Sequence, residues 1–351
     1  MSSVGHGVPC PIYLLDALAA PDYDRRMRIR SLRALFLAFL LALSAAPSVH
    51  AAKLYVVYAS IGGTQAVGWV AREAGLFAKH GLDVEMLFTG GGRAVTSLLG
   101  GDTPIVTVGG PSAIAARLGG ADIVLTAHIF DTILYSLMVA PEIKTVADLK
   151  GKKIGASRFG SATDFSLRYV LAHYGLDPVK DVTIFQIGGQ AETLAALRAG
   201  SIHGGVIASP ATAEAKRIGM KELVNMATLN VPYPQTAVAT TERYLKQNRD
   251  TVVRFTRGYI DGIRRFRADR EFSLRVIAKY TKISSRPTLE ATYDDYAPYV
   301  KQKPTPTVQS VQTVLDQLSP SDPRARGARP REFIDPSVIE QLEKDGFFSE
   351  K

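Results

Sequence analysis

Segments with strand periodicity alternate with segments of helical periodicity from residue 53 to residue 218, and the same order occurs twice. A shift of 99 residues aligns 62–116 with the second half without a gap, so that Thr64 falls on Thr163 and Pro111 on Pro210. Strands that alternate with helices form mainly parallel sheets, because each helix returns the chain to the same edge of the sheet. The pattern therefore predicts an α/β fold with two lobes, each a doubly wound, mainly parallel sheet.

Beyond residue 237 the strand pattern gives way to helical periodicity. A segment rich in proline and arginine, 319–331, interrupts this region and is typical of a solvated surface loop. The expected architecture is thus a two-lobed fold with a helical C-terminal tail. The helices of the tail are predicted at 242–246, 250–270, 271–280, 289–297, 307–318 and 336–344.

The N-terminal region has the pattern of a secretory signal peptide. Three arginines between Met27 and Ala34 precede the apolar run Ala34–Leu43, and small residues then lead to Ala51. The run of ten apolar residues spans about 15 Å of helix, too short to anchor the chain in a hydrocarbon core about 30 Å thick. We therefore expect 1–51 to comprise an upstream segment and a signal peptide, cleaved after Ala51, and the protein to be periplasmic.

Cysteine and charge content exclude several classes of protein. Cys10 is the only cysteine, so a disulfide framework and a multi-cysteine metal site are excluded. No histidine pair beyond residue 51 has H-x-x-x-H spacing, and we expect neither a metal nor another cofactor. Without 1–51 there are 37 basic and 30 acidic residues, a net charge of +7, which favours anionic partners. These charges are dispersed, without a basic block interleaved with aromatic residues, so nucleic-acid binding is not expected.

Several short segments resemble the periplasmic solute-binding proteins of ABC importers, in the sulfonate, nitrate and taurine branch whose fold is shared with thiamine-pyrimidine synthases. The resemblance extends over about residues 53–350. It implies a protein that captures a small solute between its lobes. The net charge of +7 and Arg93 favour a small organic anion, a sulfonate or carboxylate, whereas nitrate-like anions and pyrimidines stay open as ligands. The resemblance further implies delivery of that solute, by a monomer without catalytic residues, to an ABC permease and its ATPase. The segments that carry the resemblance are 73–77 (EAGLF), 80–84 (HGLDV), 145–155 (TVADLKGKKIG), 333–336 (FIDP) and 346–347 (GF).

The resemblance also implies the limits of the lobes. Lobe I would comprise 53–135 and 237–351, with the helical tail, and lobe II would comprise 136–236. The two chain crossings near 135–140 and 233–239 would form the hinge.

The ligand of a doubly wound sheet binds outside the carboxyl ends of its strands. In this chain, small or hydroxyl residues follow the predicted strands where helices begin. Free N–H groups and the partial positive charge of a helix start suit an anion. The predicted ligand-binding residues, which include one aromatic residue of a cleft loop, are Ser60, Thr64, Gly91, Gly92, Arg93, Pro111, Ser112, Phe159, Ser161, Thr163, Gln190 and Ser209.

Several of these residues also have an ordinary structural interpretation. Ser161 is a plausible helix cap, with Asp164 three residues later. Glycines 90–92 could serve a tight turn alone, without contacting a ligand. Arg93 could clamp a carboxylate, sulfonate or phosphate, or form a surface salt bridge instead.

Two other classes of function stay open. An enzyme on this fold would need the cysteine-rich iron motif of thiamine-pyrimidine synthases or the cysteine nucleophile of sulfinate desulfinases, and no cysteine follows Cys10. The G-x-S-x-G motif of a serine hydrolase is also missing. A ligand-sensing module that signals to a receptor is not distinguished from a delivery protein by the sequence.

Overall fold

The computed structural model describes residues 53–90 and 92–349. The predicted signal peptide and Gly91 lie outside these residues. Within them the strands form two separate five-stranded sheets. We use the word lobe for each sheet together with the helices that cover it.

The first sheet consists of β1 (Leu54–Tyr58), β2 (Val84–Phe88), β3 (Ile105–Val108), β4 (Val124–Thr132) and β10 (Pro232–Thr240). Its strand order is β2-β1-β3-β10-β4. Strand β1 pairs in parallel with β2 and β3, whereas β10 is antiparallel to both β3 and β4. The last strand of the chain thus lies inside the first sheet.

The second sheet consists of β5 (Ser136–Val139), β6 (Lys153–Ala156), β7 (Thr183–Gln186), β8 (Gly204–Ile207) and β9 (Lys221–Asn225). Its strand order is β7-β6-β8-β5-β9. Strand β6 pairs in parallel with β7 and β8, and β5 is antiparallel to β8 and β9. Both sheets therefore have three parallel strands followed by an antiparallel one.

The internal repeat seen in the sequence is present in the strands. The parallel strands of the two sheets begin at residues 54 and 153, 84 and 183, and 105 and 204, so each pair is offset by 99 residues. The predicted fold class, two mainly parallel α/β lobes with a helical C-terminal region, is confirmed.

Helices cover the sheets and make up most of the chain beyond β10. In the described ranges no helix is long and apolar enough to cross a bilayer. The helices are α1 (Ala66–Glu73), α2 (Leu76–Lys79), α3 (Arg93–Gly100), α4 (Gly110–Leu118), α5 (Ala162–His173), α6 (Gln190–Arg198), α7 (Ala211–Arg217), α8 (Glu242–Gln247), α9 (Arg249–Ala268), α10 (Arg270–Thr281), α11 (Arg286–Tyr296), α12 (Val308–Leu318), α13 (Pro323–Arg326) and α14 (Ser337–Lys344).

The long helix α9 packs closely against α1 and α2 of the first lobe. A Cβ atom on Gly258 would lie 2.7 Å from the ring of Phe77, and one on Gly262 would lie 2.7 Å from the Cβ of Ala71. Glycine at these two positions lets the helix backbones approach closely. The apolar face of the C-terminal helices is therefore buried in the first lobe, together with Trp69, which is fully buried.

The chain passes between the two sheets twice, at 133–135 and at 226–231. The second passage lies before β10, because 233–239, expected at a crossing, pair within the first sheet as part of that strand. The two passages and the facing strand ends position the site described next.

Candidate functional site

Two segments from different lobes meet near the carboxyl ends of β1 and β8. The backbone N–H of Gly63, just before α1, donates a 3.2 Å hydrogen bond to the carbonyl oxygen of Ser209, just before α7. The amide of Gln190 bridges the same interface. Its Nε2 donates to the carbonyl of Ile61 at 3.2 Å, and its Oε1 accepts from the N–H of Ala208 at 2.8 Å. The lobes are therefore in direct contact at this point.

A second contact joins the start of α4 to the start of α5. A Cβ atom on Gly109 would lie only 2.8 Å from the Cβ of Ala162, so the contact leaves no room for a side chain there. Nearby, the hydroxyl of Ser112 donates to the carbonyl of Gly160 at 3.4 Å. The lobes thus touch at two places rather than one.

The two contacts are related by the internal repeat. The 99-residue shift carries Gly63 to Ala162 and Gly109 to Ala208, the residue before Ser209. Each lobe therefore uses the loop after its first parallel strand to touch the loop after the third parallel strand of the other lobe.

Two tyrosines of the first lobe tie it to helix starts of the second. The hydroxyl of Tyr233, on β10, donates to the carbonyl of Ala162 at 3.2 Å. The hydroxyl of Tyr296, at the end of α11, donates to the carbonyl of Ser209 at 3.0 Å. The carboxylate of Asp295 accepts a hydrogen bond from the Ser209 hydroxyl. Burial raises the pKa of Asp295, against the smaller opposing effect of that hydrogen bond.

Tyr135 and Gln235 lie at the first passage between the lobes. The Oε1 of Gln235 accepts from the N–H of Leu134 at 3.1 Å. Its Nε2 is buried and has no hydrogen-bond partner among the described residues. Burial raises the pKa of Tyr135 to about 12, and the neighbouring amide of Gln235 acts in the opposite direction. The amide of Gln235 and the phenol of Tyr135 are therefore neighbours at this passage.

Three hydroxyl groups at the start of α5 form hydrogen bonds to one another, and two of them belong to predicted ligand-binding residues. The hydroxyl of Ser157 lies 2.9 Å from that of Ser161 and 2.7 Å from that of Thr163. The Ser161 hydroxyl accepts from the N–H of Asp164 at 3.4 Å, and Asp164 accepts from the N–H of Gly160 at 2.9 Å. Ser161 therefore caps α5, the structural role that its spacing from Asp164 indicates.

The other predicted residues are dispersed around this interface. Arg93 is exposed at the start of α3 and forms no ion pair with another described residue. Phe159 is 53% exposed, and the guanidinium of Arg168 lies 5.8 Å from its ring centroid. Thr64 and Pro111 are buried, and Ser60 and Gly92 are partly buried. Of the twelve predicted residues, the lobe contacts bring together Ser112, Gln190 and Ser209.

Lysine and arginine side chains are absent from the buried residues of 53–90 and 92–349. The described residues that are buried include Asp164, Asp261 and His128, but no lysine or arginine. The polar donors near the lobe contacts are hydroxyls, amides and backbone N–H groups, and the carboxylates of Asp164 and Asp295 accept hydrogen bonds there. Such donors hold a ligand through hydrogen bonds, without a buried countercharge.

Two surface cavities lie away from the lobe contacts, with volumes of about 950 and 590 Å³. Both are lined by residues at the amino end of β4 and the start of α8, including Arg117, Glu242 and Lys246. Because β10 is antiparallel to β3, its carboxyl end lies at the edge of the sheet opposite the strand ends that face the second lobe. These cavities therefore do not belong to the candidate site.

Sequence patterns alone did not identify Gln235, Asp295 or Tyr296. Gln235 reaches the interface because β10 returns antiparallel beside β3, a pairing between segments far apart in the sequence. Asp295 and Tyr296 belong to a helix whose position depends on packing in the first lobe. The only local signal is the concentration of tyrosine in 293–299, and helical periodicity explains that equally well.

Comparison with known proteins adds the family context. Residues 65–271 match the family model described as NMT1/THI5 like. A binding protein of Bacillus subtilis, YtlA, is 27% identical over 195 residues, which cover 54% of this chain and 58% of YtlA. An ABC transporter periplasmic binding protein of Brachyspira hyodysenteriae is 25% identical over 169 residues, 48% of this chain and 46% of that protein. The chain thus spans about half the length of the curated relatives it matches.

The fold is shared with solved structures. The alkanesulfonate-binding protein SsuA of Xanthomonas axonopodis, bound to MOPS, superposes with a TM-score of 0.67 at 19% identity. The superposition covers 84% of this chain and 98% of SsuA. At this identity the match establishes the fold, two lobes of the periplasmic-binding-protein type.

Proposed function

Because the chain belongs to the NMT1/THI5-like family, we propose that it is an extracytoplasmic solute-binding protein of an ABC importer. It captures a small organic anion, a sulfonate or carboxylate, between its two lobes. It then delivers the solute to a permease and its ATPase. The observation that carries this proposal is the pair of repeat-related contacts through which the lobes touch at their strand ends.

The lobe contacts support a mechanism of capture by closure. The contacts of Gly63 with Ser209 and of Gly109 with Ala162 support assigning this arrangement to the closed form. A solute favours this arrangement only in so far as it binds the closed form more tightly than the open one. A ligand held between two sets of helix-start N–H groups meets that condition, since opening removes one set.

The proposed lobes are 53–135 with 232–351, and 136–231, because β10 pairs within the first sheet. The passages at 133–135 and 226–231 are the natural places for a hinge, since each joins one sheet to the other. Rotation there separates the two contacts together without disturbing either sheet.

The anionic class of the solute is supported by Arg93 and by the helix starts. Arg93 is exposed and forms no ion pair with the described residues. Its guanidinium is thus available for a carboxylate or sulfonate. Each helix start contributes about 0.3–1 kcal/mol toward a bound anion, and up to about 2 when partly buried.

The proposed role as a solute-binding protein requires that the protein be exported. Cleavage after Ala51 leaves a protein that begins at Ala52, which N-terminal sequencing of the exported protein checks directly. Retention of Met1 or Met27 in the exported protein would contradict the proposed periplasmic location.

An enzyme on this fold is the second candidate. The cysteine chemistry of the related enzymes is not available beyond residue 51, since Cys10 is the only cysteine. A sensor that presents its closed form to a receptor is the third candidate, and linkage of the gene to a permease and ATPase pair distinguishes delivery from sensing.

The test of the proposed function is a binding screen on the exported protein. Thermal-shift measurements with taurine, benzenesulfonate, benzoate, nitrate and uracil, followed by calorimetry, should identify organic anions that bind. Mass spectrometry should then recover the bound compound unchanged. Turnover of the compound would favour the enzyme, and a screen in which uracil alone binds would contradict the anionic class.

A further inference from the structure

The two surface cavities of the first lobe adjoin each other at the amino end of β4. Their volumes are about 950 and 590 Å³, and both are lined by Arg117, Glu242, Lys246 and Glu332, so they form one continuous groove. Helix α8 and the segment 324–335 contribute side chains to both cavities. We call this surface the back groove. It lies at the edge of the sheet opposite the lobe contacts, so an occupant leaves the solute site accessible.

The proline- and arginine-rich segment 319–331, which the sequence predicts as a surface loop, forms part of the back groove. It contains the short helix α13, and Ala325 of that helix is buried. Burial of Ala325 fixes the segment on the surface of the protein. The arginines of the segment are all exposed, namely Arg324, Arg326, Arg329 and Arg331.

Two glutamates in the lining of the groove are paired with arginines. Glu242, on α8, accepts a 2.5 Å hydrogen bond from the guanidinium of Arg117, at the end of α4. Glu332 accepts a 2.7 Å hydrogen bond from the Nε of Arg329. The charges of these two carboxylates are therefore compensated within the protein.

The two aspartates in the lining bind helix starts. Asp122 accepts hydrogen bonds from the N–H groups of Glu242 and Arg243, at 2.9 and 3.3 Å, where α8 begins. Asp335 accepts from the N–H of Ser337 at 2.9 Å, where α14 begins. All four carboxylates in the described lining are thus already engaged by donors of this chain.

Three cationic side chains of the back groove lack such a partner. Arg243 and Lys246 on α8, and Arg331 on the arginine-rich segment, are exposed and form no ion pair or side-chain hydrogen bond with another described residue. The guanidinium of Arg249, also in the lining, bonds only to neutral acceptors of α14 in the described part of the chain. The groove therefore presents an excess of positive charge to a partner.

The occupant that complements this charge comes from outside the chain. Residues 1–51 carry five arginines and three aspartates, so they do not complement a basic groove. A second copy carries the same net charge of +7 beyond residue 51, which opposes association. The surface is concave, so a flat anionic bilayer reaches its rim but not its floor. An extended peptide with acidic side chains matches both the shape and the charge.

We propose that the back groove binds an acidic peptide segment of a partner protein, whose aspartate and glutamate carboxylates pair with Arg243, Lys246 and Arg331. This interface goes beyond the proposed function, because it lies apart from the lobe contacts and involves no solute. Failure of either proposal leaves the other standing.

A fluorescent peptide probe tests the inference on the wild-type exported protein. The probe consists of three repeats of Glu-Gly-Asp-Leu, and its uncharged counterpart of three repeats of Gln-Gly-Asn-Leu. Fluorescence anisotropy at low salt should show an affinity for the acidic peptide about tenfold or more above that for the uncharged one, and added salt should weaken it. A photoreactive form of the acidic peptide should crosslink to 242–246 and 324–335, as identified by mass spectrometry. No preference for the acidic peptide, or crosslinks only outside these segments, overturns the inference.

Charge reversal then locates binding in the groove. A triple variant, Arg243→Glu with Lys246→Glu and Arg331→Glu, should weaken binding of the acidic peptide by about tenfold or more, because each exposed ion pair contributes modestly and three are lost together. Thermal unfolding should change little, since the three side chains are exposed. Undiminished binding of the acidic peptide by this variant overturns the inference.

A matched control separates the groove from the overall charge of the protein. It reverses three exposed cations outside the groove that also lack an ion pair with a described residue, Lys153→Glu, Lys221→Glu and Arg275→Glu. Both triple variants have the same net charge, so an equal loss of peptide binding in both overturns the inference. Light scattering and vesicles of phosphatidylglycerol test the other occupants. A wild-type dimer, or wild-type binding to the vesicles, that only the groove variant loses assigns the groove to a second copy or to a membrane, and overturns the inference.

Discussion

The N–H of Gly63 donates to the carbonyl oxygen of Ser209 across the boundary between the two lobes. The same carbonyl accepts a second hydrogen bond, from the hydroxyl of Tyr296. One backbone oxygen of the second lobe is thus held by two donors of the first. Closure of the lobes and recognition of the solute can therefore be tested by separate substitutions.

Gly109→Leu should prevent the lobes from touching. A Cβ at this position already lies 2.8 Å from that of Ala162. The φ of Gly109 is −66°, a value that any L-residue adopts, so the backbone itself is not strained. Small-angle scattering should show a larger radius of gyration, and binding of the organic anions found in the screen should weaken by about tenfold or more. Gly327→Leu, at a position with open space around it, should change neither, and a closed Gly109→Leu variant would contradict the closure mechanism.

Tyr296→Phe should weaken binding without a comparable change in the fold. It removes one hydrogen bond between the lobes, a contribution of about 1 kcal/mol, or about fivefold in affinity. Tyr293→Phe is a matched control in the same helix. Its hydroxyl bonds to the carbonyl of Phe266 at 2.9 Å within the first lobe. Urea unfolding should reveal a loss of stability for Tyr293→Phe, while calorimetry finds its affinity unchanged; equal affinities for both variants would remove Tyr296 from the closure mechanism.

Asp295→Asn should alter the pH dependence of stability. Burial raises the pKa of Asp295, so the folded protein binds the proton more tightly than the unfolded chain does. The favourable contribution is complete below the ordinary aspartate pKa of about 3.9 and is lost as the pH rises through the raised value. The advantage of the Asn variant in the free energy of unfolding should therefore grow between pH 4 and pH 7.5 in urea titrations. Asp294→Asn, which removes an exposed 3.1 Å ion pair with Arg270, should show no such gain; a gap between Asp295→Asn and wild type that is the same at both pH values would contradict the assignment.

Arg93→Ala should weaken binding of an organic anion by about tenfold or more, since a hydrogen bond to a charged group contributes about 1.5–3 kcal/mol. Stability should change little, because Arg93 is exposed and unpaired among the described residues. Arg243→Ala is the control, at an exposed position that lines a cavity outside the lobe interface. Calorimetry decides between them. An unchanged affinity in Arg93→Ala would mean that Arg93 does not bind the anion and that backbone N–H groups alone do so.

The repeat and the succession of strands and helices in each half were predictable from the sequence because each element has a local pattern. Strand and helix periods, and the glycines and prolines that end them, recur at a fixed offset, as at Thr64 and Thr163. The structural role of Ser161 was accessible for the same reason, since a cap and its partner are three residues apart.

The composition of the lobe interface was not predictable in this way. Gln235 and Tyr296 come to the strand ends of other segments through pairing and packing over long sequence distances. A local pattern also cannot distinguish a polar residue that contacts a solute from one that joins two lobes. Gln190 and Ser209, which were expected to contact a ligand, take part in lobe-to-lobe hydrogen bonds; ligand contact by the predicted residues stays a prediction.

The position of β10 inside the first sheet has a consequence for how the chain acquires its structure. All strands of the second sheet lie between residues 136 and 225. Strand β3 of the first sheet, in contrast, pairs with β10 at 232–240, which is synthesised after the whole second sheet. A chain that emerges N-terminus first can therefore complete the second sheet while the first sheet still has an unpaired edge strand. The first lobe matures last, although its first strand emerges before any other, because its closing contacts have the largest sequence separation.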